Sequence, residues 1–212
     1  MMDAIDNAGH GVIVEEIAAV IVANKAYLSE IDGKIGDGDH GVNMAKGFGR
    51  AAERIHGQEV SLEEALATLS DVLMSEIGGS MGPLYGLMFE DMAAALKGRD
   101  TIDAETFSAM LHAGLDGVRG VGGAEVGDKT LIDTLVPAVA AFDAHKGEGF
   151  APALAAMSAA AEKGRDSTLD LVAKIGRASR LGERSRGVLD AGATSCCLIL
   201  STFGGAIARR LG

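Results

Sequence analysis

The sequence predicts an all-α fold, an antiparallel up-and-down bundle or barrel of eight helices. Apolar residues recur at helical spacing in eight segments, and no segment shows a convincing strand pattern. Hydrophobic residues make up 48% of the chain but aromatic residues only 4%, which favours closely packed helices with an aliphatic core. No repeat or linker divides the chain, so we expect a single domain over residues 1–212.

The eight helices are delimited by their periodicity, their capping residues and the glycines between them. Ser61 and Glu64 form a capping box, and Asp39 and either Thr101 or Asp103 are further candidate N-caps. A proline inside the sixth segment is expected to kink it. The segments cover about residues 10–31, 41–56, 61–77, 83–96, 103–118, 130–145, 150–175 and 192–210.

The glycine-rich connections are predicted to lie together at one end of the bundle. In an up-and-down bundle alternate loops share an end, so loops 32–41, 78–82, 120–129 and 176–191 should meet. Every unusual motif of the sequence falls in these four loops. The connections near 57–61, 97–103 and 146–149 look like plain turns.

Charge and composition exclude several classes of function. A net charge of −11 argues against nucleic acid or an anionic membrane as a partner. The only cysteines, Cys196 and Cys197, are adjacent and cannot build a disulfide framework, which indicates a reducing compartment. We find neither a signal-peptide pattern nor a run of about 18 apolar residues, so a cytoplasmic location without a membrane span is expected.

The first glycine-rich loop contains three carboxylates, Asp32, Asp37 and Asp39, within eight positions. Clustered negative charges repel one another, so they indicate a bound cation. Oxygen ligands on a glycine loop suit Mg²⁺, which would take phosphate oxygens as further ligands, and three carboxylates could share two ions. The alternative is a solvated acidic turn in which Asp39 only caps the next helix.

Four resemblances to known motifs fail, three on structural context and one on a missing ligand residue. Gly36-x-Gly38-x-x-Gly41 matches a dinucleotide fingerprint, but a helix and not a strand precedes it. A calcium EF-hand loop would need Glu where Phe48 stands. The segments 78–82 and 122–130 resemble a nucleophile elbow and a Walker A loop, and neither has the preceding strand that those motifs require.

The loops also supply candidate phosphate ligands. His40 could donate a hydrogen bond to phosphate, and the neighbouring carboxylates are expected to favour its charged form. Asn43 could contact phosphate or sugar. Ser80 and nearby backbone N–H groups could approach an anion at a helix start, although a tight turn explains those glycines equally well.

The last two glycine-rich loops are open to more than one interpretation. Asp128 and Thr130 could line a pocket or simply cap the sixth helix. The final loop carries four arginines, which suggest phosphate contact or partner docking in an acidic protein, although most such arginines are solvated. These are Arg177, Arg180, Arg184 and Arg186.

Four ordered stretches resemble one known family. IGDGDHGVNMAKGF, GGSMGPLYG, GDKTLIDTL and GRASRLGERSRGVLDAGA look like the nucleotide-binding L subunit of dihydroxyacetone kinase. The resemblance spans nearly the whole chain. It implies an antiparallel eight-helix barrel with the nucleotide at one end.

The resemblance also implies site residues. Asp32, Asp37 and Asp39 would bind two Mg²⁺ ions that bridge the phosphates of ADP or ATP. Family members often have Ser where Met81 stands, and Met81 can offer only its backbone N–H. Ala191 replaces a common Pro. The implied nucleotide contacts are His40, Gly41, Val42, Asn43, Ser80, Met81, Gly122, Gly123, Leu131, Arg177, Asp190, Ala191 and Gly192.

The activity implied by the resemblance is phosphoryl transfer to dihydroxyacetone held on a separate K subunit. In one mode ADP stays bound as a coenzyme, and an M subunit of a phosphoenolpyruvate-dependent phosphotransferase system rephosphorylates it. The alternatives are an ATP-dependent kinase subunit for dihydroxyacetone or a related ketose, and a nucleotide-sensing module without catalysis. We find no residue in this chain for activating the ketose.

Overall fold

A computed structural model describes residues 3–211, which form helices and one small sheet. The strands are β1 (Ala4–Asp6) and β2 (Thr101–Asp103). Two 3₁₀ segments, Lys146–Glu148 and Arg177–Ser185, lie in the connections. The α-helices within the described residues are α1 (Val12–Ala23), α2 (Lys25–Ile35), α3 (His40–Ile55), α4 (Leu62–Glu76), α5 (Met81–Leu96), α6 (Ala104–Gly122), α7 (Ile132–His145), α8 (Phe150–Ser167) and α9 (Ala191–Ala208).

The helices form a closed ring in chain order. From α3 to α9 each helix packs against the next, and α9 returns to pack against α1, which also contacts α3. The helices α1 and α2 together occupy one place in this ring, so the barrel has eight positions. The predicted all-α, eight-helix architecture is confirmed.

The core is built mainly from Ile, Leu, Val, Met and Ala, with the few aromatic residues at its centre. Phe107 packs against Phe142 and Phe203, with ring centroids 5.1 and 5.4 Å away. Nearer the glycine-rich end, Tyr85 stacks on Phe89 at 6.3 Å. Burial of large rings anchors neighbouring helices to one another.

Three predicted helices end at other residues than expected: the first at Ile35, the fifth at Gly122 and the seventh at Ser167. The first predicted helix is divided at Asn24, whose side-chain amide donates to the Val20 carbonyl oxygen at 2.9 Å. This side-chain bond satisfies a helix-end carbonyl and lets α2 turn away from α1. The seventh predicted helix ends at Ser167 and not at 175. The Thr168 hydroxyl donates to the Arg165 carbonyl oxygen at 2.6 Å there, replacing the next helical turn.

The sequence analysis missed the sheet. β1 and β2 pair antiparallel, with Ile5 opposite Ile102. Buried Asn7 extends the contact, because its side chain donates to the Arg99 carbonyl and accepts from the Glu63 backbone N–H. Three-residue strands are too short to show a period of two, which is why the pattern is not readable.

Two capping predictions are confirmed. The Glu64 backbone N–H donates to the Ser61 hydroxyl at 3.1 Å, and the Ser61 N–H donates to the Glu64 carboxylate at 2.8 Å. Asp103, the second of two candidates, accepts the Thr106 N–H at 2.8 Å and so caps α6. Both caps lie at the end of the barrel opposite the glycine-rich loops.

Among the described residues, α9 alone is long and apolar enough in composition to span a membrane. Of this segment 67% is buried within the barrel, as expected of a core helix. Its composition is therefore weak evidence for a membrane span.

Candidate functional site

A cavity of about 440 Å³ opens at one end of the barrel. All four glycine-rich loops contribute to its wall, as the alternation of loops predicts. They are represented by Asp37, Gly79, Ala124 and Arg177. A pocket of this volume accommodates a ligand the size of a nucleotide.

Three carboxylates converge at the edge of this cavity. Oxygen atoms of Asp32, Asp37 and Asp39 lie within 4.8 Å of one another. Asp32 is half-buried, whereas Asp37 and Asp39 are exposed. Hard oxygen donors at this spacing fit a divalent cation such as Mg²⁺.

The geometry of Asp39 weighs against the plain helix-cap interpretation. Asp39 occupies the N-cap position of α3, but its side chain makes no capping hydrogen bond. The His40 backbone N–H donates instead to Oδ2 of Asp32, at 3.3 Å. The Asp39 carboxylate is therefore available to a ligand, and the prediction that it caps α3 is wrong.

One arginine of the last loop reaches the carboxylate cluster. The Arg177 guanidinium forms an ion pair with the Asp37 carboxylate. Arg177 opens the 3₁₀ segment Arg177–Ser185, whose first two residues line the pocket. The ion pair places a positive charge beside three negative ones.

His40 lies on the pocket wall and is held from behind by two buried hydroxyls. Its Nε2 is 2.9 Å from the Ser195 hydroxyl, which is 2.7 Å from the Tyr85 hydroxyl. Both hydroxyls also lie 3.1 Å from the Gly192 carbonyl oxygen. Helices α3, α5 and α9 thereby meet in one hydrogen-bonded chain.

The expected charged form of His40 is not supported. Burial lowers the pKa of His40, and the Asp32 carboxylate offsets this only in part. Loss of hydration disfavours the imidazolium more than one neighbouring carboxylate favours it. The sequence shows the carboxylates but not the burial.

Asp190 caps α9 and faces the pocket. Its Oδ2 accepts the Ala193 N–H at 2.7 Å. Burial raises the pKa of Asp190 to about 6, although the Ala193 N–H and the Lys129 ammonium both oppose this rise. Ala191 and Gly192 follow on the same wall.

The loop before α7 is organised by a residue that sequence reasoning overlooked. Buried Asp133 accepts the N–H groups of Gly127 and Thr130, at 2.6 and 2.7 Å. Asp128 does not cap α7, because its carboxylate accepts the Glu125 N–H and pairs with Lys174. The sequence signal for this role is an acidic residue three positions after Thr130, a spacing that lets the carboxylate bond the Thr130 N–H at the helix start.

At the start of α5, Ser80 occupies the N-cap position without a side-chain capping bond. Its hydroxyl is therefore not used by the helix and lines the pocket. The Met81 side chain is only 8% exposed, because it packs into the core. Nearby backbone N–H groups at this helix start are free for an anion.

Most of the expected site residues line the pocket, and three do not. Val42 projects outward with 46% exposure. Gly123 ends α6 in the left-handed conformation, next to the pocket wall. Gly41 lies beneath the wall, where a Cβ atom would come 2.1 Å from the Lys25 carbonyl oxygen. The residues on the wall are Asp32, Asp37, Asp39, His40, Asn43, Ser80, Met81, Gly122, Leu131, Arg177, Asp190, Ala191 and Gly192.

An all-α barrel with a carboxylate-bearing pocket among glycine loops defines a class of ligand-binding domain. Comparison with known families identifies it further. The family model described as the DAK2 domain matches residues 34–205. The chain therefore belongs to the DAK2 domain family.

Several of the relatives are named as subunits of dihydroxyacetone kinase. The chain is 40% identical over 177 residues to "PEP-dependent dihydroxyacetone kinase 1, ADP-binding subunit DhaL" of Listeria innocua, covering 83% of this chain and 84% of that protein. It is 38% identical over 177 residues to the "PEP-dependent dihydroxyacetone kinase, ADP-binding subunit DhaL" of Escherichia coli K12, covering 82% and 84%. Both proteins are thus matched over most of their length.

A solved structure shares the same fold. The dihydroxyacetone kinase of C. freundii in complex with AMP-PNP and Mg²⁺ superposes with a TM-score of 0.69 at 26% identity. The match covers 94% of this chain but 33% of that one, so the chain spans about one third of that kinase.

Proposed function

We propose that this chain is the nucleotide-binding subunit of a dihydroxyacetone kinase, which transfers a phosphoryl group from Mg²⁺-bound nucleotide to dihydroxyacetone held on a separate K subunit. The observation that carries the proposal is the convergence of Asp32, Asp37 and Asp39 beside a nucleotide-sized pocket. The Listeria and Escherichia relatives are named as ADP-binding subunits of dihydroxyacetone kinases, which supports ADP as the bound nucleotide and dihydroxyacetone as the phosphoryl acceptor.

Phosphoryl transfer requires positioning and charge neutralisation more than covalent chemistry from the protein. Asp32, Asp37 and Asp39 would hold Mg²⁺, which when bound neutralises phosphate oxygens. Arg177 adds a positive charge at the pocket mouth. The Ser80 hydroxyl and the N–H groups at the start of α5 donate hydrogen bonds to phosphate.

The rest of the wall suits the nucleoside. Apolar side chains from α6 and the last loop, such as Val118, Val121 and Ile175, offer a surface for a flat base. His40 and Asp190 stand on the polar side, where they can hydrogen-bond sugar or phosphate. Activation of the ketose is assigned to the K subunit.

The phosphoryl group has two candidate sources. The relatives of similar length are named PEP-dependent, which favours ADP as a bound coenzyme that an M subunit of the phosphotransferase system rephosphorylates. The C. freundii kinase was solved with AMP-PNP, which favours direct use of ATP. We infer further that residues 1–212 act as one domain in the cytoplasm.

The metal cluster is tested by replacing one ligand. Asp37→Ala should abolish Mg²⁺-dependent ADP binding, measured by calorimetry with and without EDTA. Glu30→Gln is the matched control, because Glu30 is an exposed carboxylate on α2 that pairs with Lys34 of the same helix. Unchanged ADP affinity in Asp37→Ala would sink the proposed site.

The number of ions needs its own measurement. We propose that the three carboxylates share two ions, because Mg²⁺ keeps several waters and needs few protein ligands. Titration with Mn²⁺ in the presence of ADP, followed by electron paramagnetic resonance, should saturate at two ions per chain. Saturation at one ion would restrict the cluster to a single metal.

The phosphoryl donor is tested on the purified protein. Native mass spectrometry should detect retained ADP if the coenzyme mode operates, and a K subunit with dihydroxyacetone should then require the phosphoenolpyruvate relay for turnover. Rapid exchange with free ATP and turnover without the relay would establish the direct mode. No product with either donor would indicate a sensing module.

A further inference from the structure

Lys129 is an unusual buried residue at the pocket. It is 2% exposed and lines the cavity next to Asp190. Within residues 3–211 it is the only non-glycine residue with a positive φ, at 64°. The left-handed conformation is unfavourable for a residue that carries a side chain, so the surroundings of this lysine must hold it in place.

All three N–H donors of the Lys129 ammonium group have backbone carbonyl oxygens as acceptors. Its Nζ donates to the carbonyl oxygens of Thr168, Leu171 and Val188, at 2.6, 3.1 and 2.6 Å. An ammonium group has three hydrogens, and each has one acceptor here. Burial lowers the pKa of Lys129, while the nearby Asp190 carboxylate opposes that change.

The three carbonyls belong to the two ends of one long loop. Thr168 and Leu171 follow α8, and Val188 precedes α9, so the ammonium closes the base of the segment between them. Arg177 lies near the middle of this segment, and Asp190 lies at its end. The Asp190 backbone N–H donates to the Thr168 hydroxyl at 3.0 Å. The base of the loop therefore holds Asp190 directly and encloses the stretch that carries Arg177.

We propose that Lys129 is a positioning residue that holds the 168–190 loop closed and thereby sets the distance between Arg177 and the turn at Asp190 across the nucleotide. The proposal rests on the proposed function for its ligand, but its structural part concerns this chain alone. A glycine would relieve the backbone conformation and an arginine would keep the charge. Neither can present three convergent donors on a flexible stem.

The first test compares Lys129→Met with Lys174→Met. Lys174 lies in the same loop and is exposed, with its ammonium 3.1 Å from the Asp128 carboxylate. We expect Lys129→Met to speed amide hydrogen exchange selectively in residues 168–190. It should also weaken ADP binding about tenfold, comparable to the loss of one charged hydrogen bond. Lys174→Met should change both by less than about twofold.

A second variant keeps the proposal testable if Lys129→Met does not fold. Lys129→Gly places at this positive φ a residue that adopts it without strain, and it leaves the three carbonyl oxygens without the ammonium donor. Added n-butylammonium should slow the exchange of 168–190 again and restore ADP affinity, whereas n-butanol should not. Rescue by both compounds would reveal simple cavity filling and overturn the proposal, as would equal exchange rates in the Lys129 variants and the parent protein.

Failure of the proposed nucleotide-binding function and failure of the Lys129 proposal give different results. If the pocket binds no nucleotide, the Lys129 variants will still show faster exchange of 168–190 and its rescue by n-butylammonium. If Lys129 has no positioning role, ADP binding will remain dependent on Mg²⁺ and on Asp37 while the Lys129 variants bind as the parent does.

Discussion

Arg177 and Asp37 form an ion pair across the mouth of the pocket, joining the arginine-rich loop to the acidic loop. Asp37 also belongs to the cluster of three carboxylates. Arg177 thus offsets part of the repulsion within that cluster. Because both side chains are largely exposed, 61% and 41%, the pair contributes little to folding and is free to exchange partners.

Arg177→Ala should therefore separate binding from stability. We expect ADP affinity to fall about tenfold, since a charged hydrogen bond contributes about 1.5–3 kcal/mol, while the melting temperature changes little. Isothermal titration and thermal denaturation measure the two quantities. Arg184→Ala, an exposed arginine of the same loop, is the control, and equal effects of the two variants would contradict a specific role for Arg177.

Gly41 supports the site by close packing and not by a pocket contact. Gly41→Ala would place a methyl group 2.1 Å from the Lys25 carbonyl oxygen, so α2 and α3 would have to separate. We expect a loss of about 1–3 kcal/mol in the free energy of unfolding, measured with urea. Gly120→Ala in α6 meets no atom within 4 Å and should be neutral or stabilising.

Tyr85→Phe tests the hydrogen-bonded chain behind His40. The phenol hydroxyl bonds to Ser195 and Gly192 in a buried setting, so its removal should cost about 1 kcal/mol of stability. We also expect weaker ADP binding, because the Ser195 hydroxyl that bonds His40 would lose its hydrogen bond to Tyr85. Tyr27→Phe changes an exposed tyrosine, and a similar loss of affinity there would argue against the connection.

Asp190 makes stability depend on pH. Its pKa is raised from 3.8 to about 6 in the folded protein, so the unfolded chain binds fewer protons between these values. Its contribution is therefore fully present below pH 3.8 and is lost as pH rises to above 6, on the order of 2–3 kcal/mol. Asp190→Asn retains a side-chain oxygen for the N-cap but cannot titrate.

The measurement is the difference in unfolding free energy between Asp190→Asn and the parent protein, followed from pH 4 to 8 in urea. The variant should gain stability relative to the parent as pH rises through this window. A difference that does not vary with pH would contradict the raised pKa of Asp190.

Much of the site was predictable because its residues are adjacent in sequence. Asp32, Asp37 and Asp39 lie within eight positions, at the end of α2 and in the loop that follows it, and their mutual repulsion indicates a cation before any fold is known. The alternation of loops in an up-and-down barrel then brings the other glycine loops to the same end, where the structure shows one pocket. The Ser61 and Glu64 capping box was also predictable, because its two residues are only three positions apart in the sequence.

The sequence alone determined the all-α barrel, the end at which the loops meet and the carboxylate cluster, because periodicity, glycine breaks and clustered charge are local properties. The tertiary structure decided what distant segments do to one another. It buried His40 enough to lower its pKa, placed Gly41 under the pocket wall and surrounded Lys129 with carbonyls from another loop. Desolvation, close approach and convergent hydrogen bonds depend on neighbours in space, which spacing along the chain does not report.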